Sequence, residues 1–337
     1  MDTLSDVLRA VRLTGAVFFD VKAASPWVAE TPPARQLAGL MRGAEHVIEY
    51  HVITRGECWG GLVGEAPTHL VAGDVVAFPQ GDAHILSSAP GMRAPRGAAL
   101  SSGADSIPFS VVMARTADPD TQLPLKLRAG GDCDDGGTHV VCGFLACDAR
   151  PFNPLLAALP RMLHVRDRPG SDDGWLSRFV HVALAEFTEP RAGGATVLAR
   201  LSELMFVELV RRHIDAMPPG QTGWLAGLRD EHVGRALGLL HARPAHPWTL
   251  DQLAREANLS RSALAERFTH LVGQPPMQYL AHWRMQLAAG LLAAGADKVA
   301  GVALRVGYDS EAAFSRAFRR LVGVPPATWR RARLAES

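Results

Sequence analysis

The sequence predicts an α+β protein of two domains, with a β-barrel in the N-terminal part and an all-α domain in the C-terminal part. Short apolar runs with a period of two, separated by Gly, Pro and Asp, recur between about residues 17 and 145, and this pattern is typical of strands joined by tight turns. From residue 175 onward, apolar residues recur every three or four positions, which indicates amphipathic helices. One helical pattern also occurs twice, fifty residues apart, near the end of the chain.

The composition is that of a globular protein with an uneven distribution of charge. The chain has 337 residues, of which 47% are hydrophobic, so it is long enough for two domains with cores of their own. Residues 228–337 hold 15 Lys and Arg against 9 Asp and Glu, a net charge of +6, whereas residues 1–227 hold 20 against 25, a net charge of −5. Binding of a polyanion is therefore expected only in the C-terminal third.

The sequence contains no signal for secretion or for a membrane. Its first six residues form neither a basic nor an apolar leader, and no run of about 18 apolar residues occurs. We therefore expect a cytoplasmic protein without a membrane partner, in which the four cysteines stay as thiols.

The N-terminal part is expected to begin with a short amphipathic helix over residues 3–12. The strands predicted after it are 17–21, 45–53, 58–63, 69–71, 75–78, 110–114 and 138–145. Many short strands at this spacing favour a sandwich or a barrel.

One motif in this region is specific. Gly73 is followed by five residues, then by Pro79-Gln80-Gly81, two more residues and His84. This spacing closely resembles the second sequence motif of cupins, and the resemblance implies a double-stranded β-helix, a small barrel with its ligand inside. The earlier cupin motif normally offers His-x-His and a Glu, but the corresponding strand here offers only Glu49 and His51.

These residues define the candidate sensor site. Glu49 and His51 are two positions apart and share one face of a strand, so His84 could join them inside the barrel. The candidate metal ligands are His51, His84, Cys142 and Cys147, a set of nitrogen and sulfur donors that suits Zn²⁺. Glu49 and Trp59 are the candidate ligand-binding residues. Two alternatives remain open: these side chains are structural members of the core, or Cys142 and Cys147 form a thiol redox sensor.

A polar loop is expected over residues 166–174, followed by helices over 175–187 and 197–214 and a linker over 217–223. The second helix has an apolar face that needs a partner, either the barrel or the same helix of a second copy, and we favour dimerisation. The predicted organisation is therefore a cupin-like sensor domain (1–165), a helical dimerisation region (166–222) and a C-terminal domain (223–337).

The C-terminal domain contains the same unit twice. Each copy has an apolar helical stripe, a tight turn, a capping serine and a second helix. The first copy's landmarks Ser260, Leu264, Phe268, Gly273, Pro275 and Pro276 recur as Ser310, Phe314, Phe318, Gly323, Pro325 and Pro326. A helix over 276–292 joins the copies and spans about 25–30 Å, close to the roughly 34 Å of one DNA turn.

Four blocks of sequence lie in and around these copies. They are 248–254 (WTLDQLA), 274–280 (QPPMQYL), 283–285 (WRM) and 306–318 (VGYDSEAAFSRAF). Together they resemble the signature of the AraC/XylS family of bacterial transcription regulators, over about the last hundred residues. The resemblance implies a domain of two helix-turn-helix units fused to a ligand-sensing and dimerising domain, most often in an activator. The expected partners are double-stranded DNA, RNA polymerase, a small-molecule or redox effector and a second copy of the chain.

We choose the candidate DNA contacts by their position in the second helix of each unit, because residues just after the capping serine reach base edges. The candidates in these helices are Arg261, Ser262, Ala265, Glu266, Arg267, Glu311, Ala312, Ala313, Arg316, Arg319 and Arg320, and Arg284 in the helix that joins the copies is a further candidate. Arg261 and Arg316 are expected to read guanine, and Arg267, Arg284, Arg319 and Arg320 to meet phosphates. The alternative of a different class is a cupin metalloenzyme, an oxygenase or isomerase, fused to a DNA-binding domain. The incomplete first metal motif argues against it, so no enzymatic activity is expected.

Overall fold

The computed structural model describes residues 2–36, 45–93, 109–113, 137–166, 175–188, 191–295 and 297–336. These residues divide into two compact units. The β-rich unit comprises Leu13–Cys147 and Leu159–His213, and the helical unit comprises Met1–Arg12, Asp148–Ala158 and Ile214–Ser337. No helix in the described part of the chain is both long and apolar enough to cross a membrane. The predicted loop over 166–174 lies, except for its first residue, outside the described residues.

The β-rich unit consists of two antiparallel sheets, as the period-two pattern predicted. The six-stranded sheet has the order β10-β6-β3-β9-β1-β8. Its strands are β1 (Thr14–Ala23), β3 (His46–Arg55), β6 (Asp74–Phe78), β8 (Phe109–Met113), β9 (Thr138–Cys147) and β10 (Leu163–Arg166). The four-stranded sheet has the order β2-β7-β4-β5, with β2 (Val28–Thr31), β4 (Glu57–Leu62), β5 (Thr68–Val71) and β7 (His84–Ser87).

Both sheets contribute to one apolar core. Ile53 and Phe144 from the larger sheet and Cys58, Leu70 and Leu86 from the smaller one belong to the same buried cluster. Successive side chains of a strand point to opposite faces, so each strand gives alternate residues to this core. The strands β2, β7 and β10 were not predicted from the sequence.

Two helices pack in the β-rich unit, α3 (Trp175–Thr188) and most of α4 (Gly194–Ala216). The Tyr50 hydroxyl and the Ser202 hydroxyl of α4 are 2.6 Å apart, and both residues are fully buried. A Cβ at Gly143 would lie 2.3 Å from the Tyr50 ring, so only glycine fits there. The broad apolar face of α4 is thus largely buried within the chain, while Leu204 remains 60% exposed.

The helical unit contains the remaining helices. They are α1 (Thr3–Ala10), α2 (Pro154–Ala158), α5 (Trp224–Arg229), α6 (Glu231–Ala242), α7 (Leu250–Glu256), α8 (Arg261–Val272), α9 (Pro276–Ala293), α10 (Val299–Arg305), α11 (Glu311–Val322) and α12 (Pro326–Glu336). The pairs α7/α8 and α10/α11 are the two predicted helix-turn-helix units, and α9 joins them. In the second turn Gly307 has φ +82°, and a Cβ there would lie 2.6 Å from the Ala245 carbonyl oxygen. Glycine adopts this left-handed conformation more readily than any other residue.

Two segments of the predicted sensor range, 1–12 and 148–158, lie in the helical unit. Asp148 accepts two hydrogen bonds from the Arg12 guanidinium, at 2.8 and 2.9 Å, and its N–H donates to the Val11 carbonyl. The buried Gln286 of α9 accepts from the Phe152 N–H at 3.0 Å and donates to the Ala10 carbonyl at 3.1 Å. One glutamine of the C-terminal domain therefore satisfies backbone groups of both N-terminal segments.

Candidate functional sites: a buried histidine cluster and a nucleic-acid interface

Glu49, His51 and His84 meet inside the β-rich unit. Glu49 and His51 lie two apart on β3, and His84 begins β7 after the turn that ends the glycine-proline motif. The Nε2 atoms of the two histidines are 2.8 Å apart, and the Glu49 carboxylate oxygens lie 3.7 Å from His51 Nε2 and 3.6 Å from His84 Nε2. All three residues are less than 10% exposed. The expectation that His84 joins Glu49 and His51 therefore agrees with the geometry.

The hydrogen bonds fix where the protons of this cluster lie. His84 Nδ1 is 3.0 Å from the Asp82 carbonyl, which can only accept, so Nδ1 carries the proton of a neutral His84. His84 Nε2 is then an acceptor, and it accepts a hydrogen bond from the N–H at His51 Nε2. His51 Nδ1 in turn accepts from the Cys142 thiol, whose Sγ is 2.8 Å away. The hydrogen bonds therefore all run in one direction: Cys142 donates to His51, His51 donates to His84, and His84 donates to the Asp82 carbonyl.

Burial keeps Glu49, His51 and His84 uncharged near neutral pH. Desolvation raises the pKa of Glu49 to about 8, although a hydrogen bond with Thr31 partly opposes this rise. Desolvation lowers the pKa of His84 to about 4 and that of His51 well below its ordinary value, with the neighbouring His84 adding to the latter effect. A cation would therefore meet two neutral imidazoles and a carboxyl group whose proton it can displace.

One ligand atom from each of Glu49, His51 and His84 lies within 4.8 Å of the other two. Two nitrogens and one carboxylate oxygen are a donor set that zinc accepts, with a further position open. The residues present therefore fit a metal ion. Phe78 stacks on His84, with ring centroids 3.7 Å apart, and holds that imidazole in place.

The structure separates the other predicted sensor residues from the three ligand atoms. Cys142 lies opposite His51 in the β3–β9 register, at the ring nitrogen that faces away from His84. Cys147 is five residues further along β9 and so projects from the opposite face, where it pairs with His46. Trp59 neighbours Cys58, which is in the core, and lines a cavity of about 60 Å³ outside it, with its ring 5.0 Å from that of His69. Sequence reasoning did not identify Thr31, since β2 gave no signal.

The candidate nucleic-acid interface consists of α8 and α11, which begin and end alike. Ser260 and Ser310 cap them, each hydroxyl accepting a hydrogen bond of 3.2 Å from the N–H three residues on. Gly273 and Gly323 end them in the left-handed conformation. Each helix turns two apolar residues inward, Leu264 and Phe268 or Phe314 and Phe318, and all four side chains are fully buried.

The opposite faces of these helices are open. The exposed candidates are Arg261, Ser262, Glu266, Arg267, Glu311, Ala312, Arg316, Arg319 and Arg320, while Ala265 and Ala313 are half-buried. Arg261 lies 3.8 Å from the Asp251 carboxylate, and Arg267 forms a closer ion pair with Asp230, at 2.5 Å. Glu311 lies in the first turn of α11, where its charge also favours the helix dipole.

Arg284 occupies a different environment from the other candidates. Its guanidinium is half-buried and donates to the carbonyls of Pro244 (2.7 Å), His246 (2.9 Å) and Gly307 (3.2 Å). Arg284 thereby ties the loop before α7 to the turn of the second helix-turn-helix. These bonds use its donors inside the domain, so a contact with phosphate would have to compete with them.

Comparison with known proteins gives consistent matches for both parts of the chain. The family described as cupin matches residues 2–215, and the family described as a helix-turn-helix domain matches residues 253–332. A protein of Streptomyces lividans named as an AraC-like transcription regulator is 31% identical over 335 residues, covering 98% of each chain. The transcriptional regulator AlkR of Acinetobacter baylyi is 27% identical over 331 residues, covering 98% of this chain and 99% of its own.

Among solved structures, the DNA-binding domain of AdpA in complex with a target DNA is 31% identical, covers 32% of this chain and 95% of its own, and has a TM-score of 0.30. The match extends over nearly the whole length of the relatives and over both predicted domains. The chain belongs to the AraC family of DNA-binding transcriptional regulators, with a cupin domain in its N-terminal part.

Proposed function

We propose that this regulator activates transcription when a signal reaches the cluster of Glu49, His51 and His84. The observation that carries this proposal is the burial of three ionisable side chains in the core of the β-rich unit. Burying such groups without a ligand is costly, because each must give up its charge and its water. A site that binds a ligand recovers part of this cost.

The ligand proposed for the cluster is Zn²⁺, held by His51, His84 and Glu49. Zinc would supply a Lewis acid and a fixed positive charge in the core. Zinc at His51 Nε2 would leave the proton of this imidazole on Nδ1, and it would displace the proton of Glu49, so zinc uptake is expected to release a proton. The Cys142 sulfur would then accept a hydrogen bond from Nδ1 and orient the imidazole.

The DNA-binding residues proposed are those that sequence position selected on α8 and α11. Arg261 and Arg316 are proposed to read guanine, and Arg319 and Arg320 to bind phosphates, because their side chains are exposed on α8 and α11. The assignment of Arg267 and Arg284 to phosphates requires each to leave the partners that it has within the chain.

A homodimer, RNA polymerase as partner and a cytoplasmic location complete the proposal. Two copies would present two pairs of recognition helices to repeated half-sites. The region 166–222 supplies the proposed interface, and Leu204, Val197 and Val182 are exposed apolar residues on its helices.

The testing experiment combines metal analysis with DNA binding. The full chain is purified without added metal, and its zinc content is measured together with its affinity for DNA from the region upstream of its own gene, before and after chelation. Stoichiometric zinc that is lost in the double variant His51→Gln/His84→Gln, together with altered DNA affinity after chelation, supports a regulatory metal. Zinc without any effect on DNA binding would mean that the metal only stabilises the fold. An absence of zinc would refute the metal and turn the search to an organic effector.

Two other functions have a specific observation in their favour. The bond between Cys142 and His51 favours a thiol redox sensor, for which mild peroxide would change DNA binding in the wild type but not in Cys142→Ser. The set of two histidines and one glutamate favours a cupin metalloenzyme. Turnover of a candidate substrate by the metal-loaded protein would show that the chain is an enzyme. We propose that it has no such activity.

A further inference from the structure

The two proposed recognition helices, α8 and α11, have the same caps and the same buried positions but different residues at their exposed positions. Aligned on their capping serines, α8 and α11 agree in burial at every one of their twelve positions except one, where Arg267 is exposed and Ala317 is half-buried. Their caps and their buried pairs of residues also correspond. A difference between the two helices in DNA binding must therefore come from the side chains on their exposed faces.

Those side chains have opposite charge patterns. Glu266 in the middle of α8 corresponds to Arg316 in α11, and the two positions that follow the second buried residue hold Thr269 and His270 in α8 but Arg319 and Arg320 in α11. At 100° per residue, these positions lie on the face opposite the buried pair, which is the face that a major groove would meet. The outermost face of α8 thus carries a carboxylate, whereas that of α11 carries three guanidinium groups.

The remaining cations of α8 already have acidic partners. Arg261 lies near Asp251, and Arg267 is bonded to Asp230, which also caps α6. Over the described residues, Arg316, Arg319 and Arg320 have no ion pair. Arginines without a partner can replace the counterions of DNA directly, whereas a paired arginine must first give up its carboxylate.

We propose that the two helices divide DNA binding between them: α11 supplies most of the affinity for phosphates, and α8 supplies base discrimination through Glu266. The proposal rests on the proposed docking of both helices on DNA. A carboxylate is repelled by phosphates wherever the helix lies, and this repulsion is offset where it accepts a hydrogen bond from a base. In the major groove, the N4 amino group of cytosine is the donor that carboxylates read. Glu266 therefore specifies a cytosine in the half-site of the first helix-turn-helix.

The repeat supplies matched variants for the test. Glu266→Gln, Arg316→Gln, Arg319→Gln and Arg320→Gln, with Arg267→Gln as control, all change exposed side chains and are made in the full chain. Each is bound to a 30-base-pair duplex of arbitrary sequence over a range of KCl concentrations. Each is also used to select duplexes from a pool of random sequence. The unfolding midpoint of each variant serves as the check on folding.

Arg319→Gln and Arg320→Gln are each expected to make log K depend less steeply on log[KCl], by about 0.9 in slope for each phosphate that the missing guanidinium would have neutralised. Arg316→Gln, which removes a side chain proposed to read guanine, and Arg267→Gln are expected to change the slope less. Glu266→Gln is expected to bind the arbitrary duplex more tightly than the wild type. In the selection it should lose a preference for cytosine of roughly tenfold at one position and gain one for adenine, because an amide pairs with the N6 and N7 of adenine. A purely structural role of Glu266 would not exchange one base for another.

An unchanged base preference in Glu266→Gln would overturn the role of this residue. An equal loss of slope in Arg267→Gln and in Arg319→Gln and Arg320→Gln would overturn the division between the helices. A wild-type chain that selects no sequence from the pool would instead refute the docking on which the inference rests.

Discussion

Replacing Glu49 by Gln is expected to stabilise the metal-free protein above pH 6.5 and to weaken its binding of zinc. The substitution keeps the shape of the side chain and an oxygen that can accept from Thr31, but it removes the ionisable group. This one substitution therefore tests two effects of the carboxyl group separately: how far its burial destabilises the metal-free protein, and how much it contributes to the affinity for zinc.

The magnitude follows from the pKa values. Folding raises the pKa of Glu49 from 4.5 to about 8, so its contribution to stability is complete below pH 4.5 and is lost as the pH rises toward 8. The pKa values of His51 and His84 are lowered, so their contributions are present above pH 6.5 and are lost as the pH falls below it. Between pH 6.5 and 8, Glu49 is the member of the cluster whose titration lowers stability, by up to about 1.4 kcal/mol per pH unit. In the unfolded chain the two histidines still lose protons just above pH 6.5, which offsets part of this loss, so the free energy of unfolding should fall by about 1 kcal/mol in all.

The assay is urea unfolding with a chelator at several pH values in this range, for the wild type, Glu49→Gln and the control Glu57→Gln. The Glu57 side chain is 71% exposed, so its removal should leave the slope unchanged. Glu49→Gln should abolish the slope and exceed the wild type in stability at pH 8. With zinc added, the order should reverse, because the wild type gains the binding free energy and the variant has lost an anionic ligand.

A wild-type stability that does not fall between pH 6.5 and 8 would refute the protonated state of Glu49. A variant that binds zinc as tightly as the wild type would refute the role of this carboxylate as a ligand.

Three further predictions concern the helical unit. Gly301→Ala should stabilise it by up to about 1 kcal/mol in thermal unfolding, since a Cβ there meets only the Asp297 Cβ at 4.0 Å, whereas Gly234→Ala should destabilise it because its Cβ would lie 2.7 Å from the Leu228 carbonyl oxygen. Gln286→Ala should cost about 2 kcal/mol or more in urea unfolding by leaving a buried N–H and a carbonyl without partners, and a loss below about 0.5 kcal/mol would contradict this. Arg284→Lys should lower stability by about 1–3 kcal/mol because an ammonium group cannot reach all of the carbonyls that the guanidinium bonds, and wild-type stability with weakened DNA binding would instead assign Arg284 to phosphate.

Sequence reasoning predicted the elements with long or repeated patterns. The alternation along β3 and β9 indicated both strands, and the fifty-residue repeat indicated the two helix-turn-helix pairs and the helix between them. The strands β2 and β10 and the helices α5 and α12 were not predicted, since no apolar pattern that we recognised marks them. Their existence depends on packing rather than on local pattern.

The candidate sensor site was predictable to the extent that it depends on one strand. Glu49 and His51 share a face because their separation is even, and the glycine-proline motif indicated His84. The places of Cys142 and Cys147 depend on the register between β3 and β9, which nothing local in either strand determines. The packing of residues 1–12 and 148–158 in the helical unit likewise depends on contacts far apart in sequence, such as that between Phe152 and Gln286.

His51 links the metal and thiol hypotheses, because each uses one nitrogen of the same ring. A metal at Nε2 would move the His51 proton to Nδ1 and end the hydrogen bond to His84, while oxidation of the Cys142 thiol would remove the donor to Nδ1. Either event would change a hydrogen bond of His51, which lies opposite Cys142 in the β3–β9 register. Six residues after Cys142 the chain reaches Asp148, whose carboxylate is bonded to Arg12 within the helical unit. We therefore propose β9 as the strand on which a metal or an oxidant at the cluster would act, because the chain continues from it directly into the helical unit.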